Sequence, residues 1–277
     1  MRFRKIYVEI SNLCNLSCAF CPGTKRPKGR MTPEKFRVLA PKLRPYTEFL
    51  YFHLMGEPLC HPDLAEFLEI AHGHDFKVIL TTNGTLLARQ QELLLSSPAV
   101  HKVNISLHAF EANDLTVPFE TYLAQCLAFG QAANGKKLVV YRLWNQGGAD
   151  KKNQEILTAL HDAFPAPWVT ETRGTRLAPR TYLEYGDKFD WPDLSAPDGG
   201  EKVFCYGLRD QLGILYDGTV VPCCLDHEGD LALGNAFVQD MDAILASPRA
   251  TAIYEGFTRK EAAEELCRRC GYARRFQ

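Results

Sequence analysis

The chain has 277 residues, a hydrophobic share of 46 % and a formal net charge of −1, an ordinary globular balance with room for one large domain and a small one. So neutral a chain offers no basic field to gather nucleic acid or an anionic lipid surface, and neither partner is expected. No apolar run reaches the ~18 residues of a membrane span, and MRFRKIYVEISNLC at the start lacks the continuous apolar core of a signal peptide, so a cytoplasmic location is expected.

KIYVEI (5–10) reads as a first strand and ends just before a group of cysteines. Thr32-Pro33 opens a helix, Thr32 as N-cap and Pro33 at the first helical position, and Phe36, Leu39, Ala40 and Leu43 follow at helical spacing. EFLYFHL (48–54) is a second, buried strand. Pro62 opens a helix with Leu64, Phe67, Leu68 and Ala71 on one face. FKVILTT (76–82), HKVNISL (101–107), KKLVVYRLW (136–144) and PWVTET (167–172) read as four more strands. Helices are expected between them near 88–95, over 118–130 and around Ile156–Phe164.

That alternation implies βα units on a parallel sheet. Six strands are too few for a closed eight-stranded barrel, so the fold class expected is α/β, a partial (β/α)6 TIM-like barrel over residues 1–172. Residues 173–202 are rich in Gly and Pro without a clear period and read as a linker or active-site loop. A small domain over 203–277 follows: a β-hairpin, GILY and TVVP around Asp217-Gly218, then helical patterns near 239–247 and 258–267.

Ten cysteines in a chain not marked for export point away from disulfides and toward metal. Cys14, Cys18 and Cys21 form C-x3-C-x2-C; Cys205, Cys223, Cys224, Cys267 and Cys270 form a second group. Three thiolates do not close a tetrahedral zinc site, whereas an iron–sulfur cluster held by three cysteines keeps one iron open. Spacing alone leaves zinc as the alternative for both groups, and with it a non-catalytic zinc-binding module.

C-x3-C-x2-C after a first strand, with the aromatic Phe20 before the third cysteine, resembles the signature of radical S-adenosylmethionine (SAM) enzymes. Met55-Gly56-Glu57-Pro58 after the second strand is similar to that family's Gly-Gly-Glu segment, with Met in place of the first Gly. Thr82-Asn83-Gly84 matches its T-N-G after the third strand. The resemblance implies a [4Fe–4S] cluster on Cys14, Cys18 and Cys21, whose open iron binds SAM, and formation of a 5′-deoxyadenosyl radical that takes hydrogen from a substrate. It implies SAM contacts from Phe20, Gly56, Glu57, Asn83, Ser106 and Arg142, the last two at its carboxylate. The second group resembles the twitch module, a shortened SPASM domain, in its C-x12-G-x4-C and C-x2-C spacings. That implies an auxiliary [4Fe–4S] cluster on Cys205, Cys223, Cys267 and Cys270. No cysteine follows Cys270 in the chain, so one auxiliary cluster is expected.

Four cysteines would leave that cluster no open iron, which favours an electron-accepting role and a two-electron dehydrogenation of a small metabolite. The alternative within the family is modification of a peptide or protein. Its frequent N-terminal leader-binding domain is not expected here, because the first strand begins at once. His108, Glu171 and Tyr206 are the candidate catalytic residues, with Trp144 and Asn145 beside them as substrate contacts. His53 is expected to be packed, His61 to cap a helix, and Cys126 to fill a helix face. A flavodoxin or ferredoxin-type donor is the electron source implied by the resemblance.

Overall fold

The structure is a computed structural model and describes residues 2–172 and 174–276. Its strands are β1 (Lys5–Val8), β2 (Phe49–Tyr51), β3 (Lys77–Thr82), β4 (Val100–Ser106), β5 (Leu138–Gln146), β6 (Val169–Glu171), β7 (Gly174–Ala178), β8 (Thr181–Asp187), β9 (Gln211–Ile214), β10 (Thr219–Val221) and β11 (Gly234–Asn235). They form one 11-stranded sheet in the order β11-β10-β9-β1-β2-β3-β4-β5-β8-β7-β6. From β1 through β5 to β8 the pairings are parallel.

Helices α1 (Pro33–Leu43), α2 (Leu64–Gly73), α3 (Leu87–Ser96), α4 (Phe119–Ala133) and α5 (Asn153–Ala163) connect successive parallel strands. Thr32 caps α1 by accepting from the Lys35 amide, with Pro33 in the first turn, as its sequence predicts. Phe36 of α1 stacks on Phe67 of α2 at 5.0 Å and meets Phe52 edge-on at 5.5 Å. All three are fully buried. Ile6, Val8, Leu50, Val78, Leu80, Val103 and Ile105 turn to this helix-covered core.

The other face of the same strands is polar. Tyr7, Tyr51, His53, Thr81, Ser106 and Arg142 point into the barrel. Parallel strands buried on both sides are normally apolar throughout; polar residues at period two mark a face that encloses a site.

Two expectations are corrected. Residues 169–171 do form a strand, but at the far edge, in an antiparallel hairpin with β7. The sixth parallel strand is β8, inside the segment expected to be a linker, with Arg142 opposite Glu184 in register. Thr181 and Leu183 are buried and Tyr182 and Glu184 less so, an alternation that the neighbouring glycines and prolines mask. The boundary expected at 173 falls outside the described residues. The second correction is the last long helix, which is α7 (Pro248–Thr258) rather than 258–267. Ser247 caps it by accepting from the Ala250 amide, and Pro248 occupies its first turn, the same start signal as Thr32-Pro33. Two short helices flank it, α6 (Met241–Leu245) and α8 (Glu265–Arg268).

The expected hairpin is β9–β10, with Val220 opposite Ile214. β9 also pairs in parallel with β1, from Lys5↔Gln211 to Val8↔Ile214. The C-terminal part therefore extends the barrel sheet and is seated against the barrel's first strand.

Candidate functional site

The loop after β1 carries Cys14, Cys18 and Cys21. Met55-Gly56-Glu57 follows β2, Asn83 follows β3, and Ser106 and His108 close β4. All stand at the C-terminal end of the parallel strands, where barrel sites gather. Gly56 has φ +78°, and a Cβ there would lie 2.4 Å from the Ser11 carbonyl and 2.8 Å from that of Leu13, so only glycine lets this segment pass under the cysteine loop. The next amide, of Glu57, donates to the Leu13 carbonyl at 2.9 Å. The Glu57 carboxyl is buried and accepts from the Leu59 amide at 3.0 Å and the Asn83 amide at 2.7 Å. Burial pushes it up to about 7 against the pull of those two donors.

The cysteine loop is held by side chains from neighbouring strand ends. Asn83 Nδ2 donates to Asn15 Oδ1 at 3.0 Å and to Cys14 Sγ at 3.8 Å. Asn113 Nδ2 donates to Cys18 Sγ at 3.1 Å, and its Oδ1 accepts from the Ser17 amide at 3.0 Å. The Leu16 amide points at Cys14 Sγ, 3.4 Å away. N–H groups aimed at cysteine sulfurs tune clusters of the kind three thiolates hold, so the donor set fits. Behind the loop, Arg26 makes a two-point ion pair with Glu9, at 2.6 and 2.9 Å, and donates to the His227 carbonyl at 2.7 Å. Glu9 is fully buried and also accepts from the Tyr216 amide at 3.1 Å.

Cys205, Cys223, Cys267 and Cys270 line one internal cavity with Leu225, Leu231, Leu266 and Phe257. Burial raises all four thiols, Cys205 to about 11. Neighbouring cysteines push Cys205, Cys223 and Cys267 in the same direction. Four mutually facing thiols in an apolar pocket fit a cluster that displaces their protons on binding. No three His, Cys, Asp or Glu side chains among the described residues converge at the distances of a single ion. That is no obstacle to a cluster, whose ligand sulfurs stand farther apart. Cys224 turns the other way, away from these four and toward Lys5 and Tyr7.

Between the two cysteine groups lies an inner cavity of about 280 Å³. Lys5, Tyr7, His53, Ser106, Arg142 and Trp144 line it from the barrel, and Trp191, Cys224 and Tyr272 from the C-terminal part. An outer groove of about 630 Å³ runs along the cysteine loop and shares Phe20, His108, Trp144 and Lys188 with it. Phe20 lies 5.0 Å from His108, ring to ring. Arg142 Nε reaches Glu184 Oε2 at 3.2 Å, and its guanidinium lies 4.6 Å from the Trp144 ring. His108 Nδ1 lies 3.1 Å from the Arg142 carbonyl, and burial lowers its pKa.

The structure brings Phe20, Gly56, Glu57, Asn83, Ser106, His108 and Arg142 to one end of the barrel. Two expected residues are elsewhere. Glu171 lines a separate opening of about 940 Å³ with Arg2, Phe49, His101 and Leu138, at the N-terminal ends of the strands, and pairs with Arg176 at 2.7 Å. Its expected place rests on a parallel strand, and the strand is antiparallel. Tyr206 is exposed and packs edge-on against Phe204 and Phe276; Tyr272 is the tyrosine that reaches the cavity from this side. Asn145 is spent on the Ala149 carbonyl and Asn153. His53, expected to be packed, lines the cavity. Sequence reasoning missed Lys5, Tyr7 and Asn113; the period-two K-I-Y of β1 is a signal for the first two, and nothing local marks Asn113.

Family models match twice: the radical SAM superfamily over residues 8–172 and SPASM, an iron–sulfur cluster-binding domain, over 205–271. Among curated proteins, the chain is 28 % identical to an AdoMet-dependent heme synthase of Methanosarcina barkeri, over 39 % of this chain and 32 % of that one. It is 27 % identical to the S-adenosyl-L-methionine-dependent 2-deoxy-scyllo-inosamine dehydrogenase of Niallia circulans, over 39 % of this chain and 46 % of that one. The chain thus matches less than half the length of these relatives. Among solved structures, BtrN in complex with AdoMet and 2-DOIA superposes with a TM-score of 0.63 at 19 % identity, covering 98 % of this chain and 93 % of that one. Native anSMEcpe with bound AdoMet gives 0.61 at 14 %, covering 96 % and 89 %. These two show the shared fold. SAM and a [4Fe–4S] cluster are its cofactors, with auxiliary iron–sulfur binding in the SPASM region. With the radical SAM match alone spanning more than half of its residues, the chain belongs to the radical SAM superfamily and carries a C-terminal SPASM/twitch domain.

Proposed function

We propose that this enzyme is an oxidoreductase that removes two electrons from a small organic metabolite held in the inner cavity. The observation that carries the reading is the cavity's position. Phe20 of the cysteine loop walls one side; Cys224, next to Cys223, walls the other. Cys14, Cys18 and Cys21 would hold the cluster that, with SAM, supplies a hydrogen-abstracting radical, and Cys205, Cys223, Cys267 and Cys270 the cluster that accepts an electron. Phe20, His108 and Trp144 stand where the outer groove meets the inner cavity, and SAM would bind across that junction, beside the cysteine loop. Ser106 and Arg142, opposite each other in register, would take the SAM carboxylate at the mouth of the inner cavity, with Glu184 fixing the guanidinium plane. In the net reaction the substrate gives up one hydrogen atom, one proton and one electron. His53, His108, Tyr7, Lys5 and Tyr272 are among the ionisable groups placed to handle the proton.

At about 280 Å³ the cavity lies just below the usual range for ligand pockets, which supports a small substrate over a peptide. The 2-deoxy-scyllo-inosamine dehydrogenase, among the relatives, supports the reaction class. A flavodoxin or ferredoxin-type protein is the proposed donor and the cytoplasm the proposed location. No helix among the described residues is long and apolar enough to cross a membrane.

The test is made on protein reconstituted without oxygen. Two clusters require about eight irons per chain, and dithionite should drive formation of 5′-deoxyadenosine from SAM. Cys18→Ala should abolish that cleavage. Cys267→Ala should keep it while losing about four irons and turnover of a metabolite substrate. Zinc in place of iron, with no cleavage, would overturn the reading.

A further inference from the structure

The inner cavity has a charge pattern that its position does not require. Its lining includes three cationic side chains, Lys5, Arg142 and Lys188, and no Asp or Glu. Arg142 is already matched by Glu184. Lys188 sits at the exposed rim that the cavity shares with the outer groove. Lys5 is the one turned inward, its Nζ 5.2 Å from the Tyr7 ring centroid and 5.4 Å from that of Tyr51. It makes no ion pair among the described residues. Of the acidic groups that favour its charge, the Cys224 thiol acts more strongly than the Asp210 carboxylate, and Asp210 is held by Arg4 at 3.4 Å. Arg142 repels it, Cys224 faces it, and burial lowers its pKa.

Two aromatic faces stabilise an ammonium only in part, and a buried charge without a counter-ion costs free energy. Two further polar atoms share the condition. His53 Nδ1 and Trp144 Nε1 are buried without a hydrogen-bond partner among the described residues, and both side chains line the same cavity. Buried polar atoms left without partners in a concave site are atoms waiting for a ligand.

We infer that the substrate of this cavity is a small carboxylic acid, its carboxylate paired with Lys5 and a polar group on its body meeting Trp144 Nε1–H and His53 Nδ1. The inference rests on the inner cavity being the substrate site. One singly charged ammonium flanked by ring faces matches a carboxylate. A phosphate calls for several converging donors, and the lining offers no second unmatched cation at that depth. Trp144, Phe189, Trp191 and Tyr272 give the walls an aromatic character, suited to a ring or a short apolar body.

The test uses matched probes on the reconstituted, SAM-loaded enzyme under anaerobic calorimetry: benzoate, benzamide and benzylamine, and the cyclohexane acid, amide and amine. The acids are expected to bind about tenfold more tightly than their amides, and the amines least, as a charge-assisted contact implies. Lys5→Met should erase the preference for acids, Lys5→Arg should keep it, and Lys188→Met should leave it in place. Amides or amines binding as well as acids, no binding by either acid, or a preference that follows Lys188 would each overturn the inference. If Lys5→Met does not fold, the wild-type ranking and Lys188→Met still decide. 5′-Deoxyadenosine formation is measured on the same preparations. Cleavage without an acid preference defeats this inference alone; absence of cleavage defeats the underlying reading of the site.

Discussion

Glu57 is a buried carboxyl whose job is to accept from two amides, and it carries a proton to about pH 7. An unfolded chain releases that proton near 4.5. The folded state therefore binds more protons between the two values. The associated stability is complete below 4.5 and declines as pH rises to about 7. The decline is on the order of 3 kcal/mol. Glu57→Gln, which cannot ionise, should lose that slope. Urea melts of both proteins from about pH 4.5 to about 7.5 measure the difference, and parallel curves would contradict the assignment. At this scale the sequence was legible where a motif spoke. Gly56, Asn83 and the cysteines could be grouped as one site because they stand in motifs of recognisable spacing, and the structure brings Gly56, Asn83 and the first three cysteines to one end of the barrel. Lys5 was marked only by the period-two pattern of β1, and Asn113 by nothing local. Asn113 reaches Cys18 only because the loop after β4 folds over the cysteine loop, across 95 residues of chain.

Among elements, period and caps carried most of the fold. Thr32-Pro33 set the start of α1, and the succession of strand-like and helix-like stretches pointed to the parallel sheet. β8 escaped because its seven residues sit among glycines and prolines, and strand direction is decided by pairing rather than by local sequence. The antiparallel direction of β6 puts Glu171 at the opposite end of the barrel from the cysteine loop. Close packing between elements predicts behaviour that propensity would not. In α4, a Cβ on Gly130 would fall 1.9 Å from Tyr141 Oη, whose hydroxyl bonds to the Cys126 carbonyl at 3.1 Å. Helix propensity alone would make Gly130→Ala stabilising by ~1 kcal/mol; overpacking should make it destabilising by about 1–3 kcal/mol. Adding Tyr141→Phe should recover part of the loss in thermal melts. Behind the cysteine loop, Arg26 is one of the residues that fix it. Arg26→Met strands the Glu9 carboxylate in the interior and should cost about 3–5 kcal/mol. Adding Glu9→Gln should restore much of it, a coupling that a double-mutant cycle reads directly.

For the whole molecule, the two cysteine groups and the barrel between them could be read in outline from the sequence. The cavity where they meet could not, because it is assembled from β1, β2, β5 and residues beyond 188 that no window of sequence sets side by side. The sheet itself crosses that division, since β1 has β2 on one edge and β9 on the other. A chain ending at Glu201 leaves one edge of β1 unpaired, with Ile6 and Val8 uncovered on that side. It should aggregate rather than give a smaller soluble barrel, which size-exclusion chromatography would reveal.

The β1–β9 seam also sets a timetable. On the ribosome Lys5 emerges long before its partner Gln211, which is made only after the helices and strands between them. β1 is thus made well before it can be fully paired, and until β9 follows it offers one open edge to neighbouring nascent chains. Contacts of such long sequence separation form slowly. The cysteine loop that follows β1 therefore gains its Arg26–His227 anchor only once residue 227 has been made, and a cluster held by that loop would find its frame fixed only after that point.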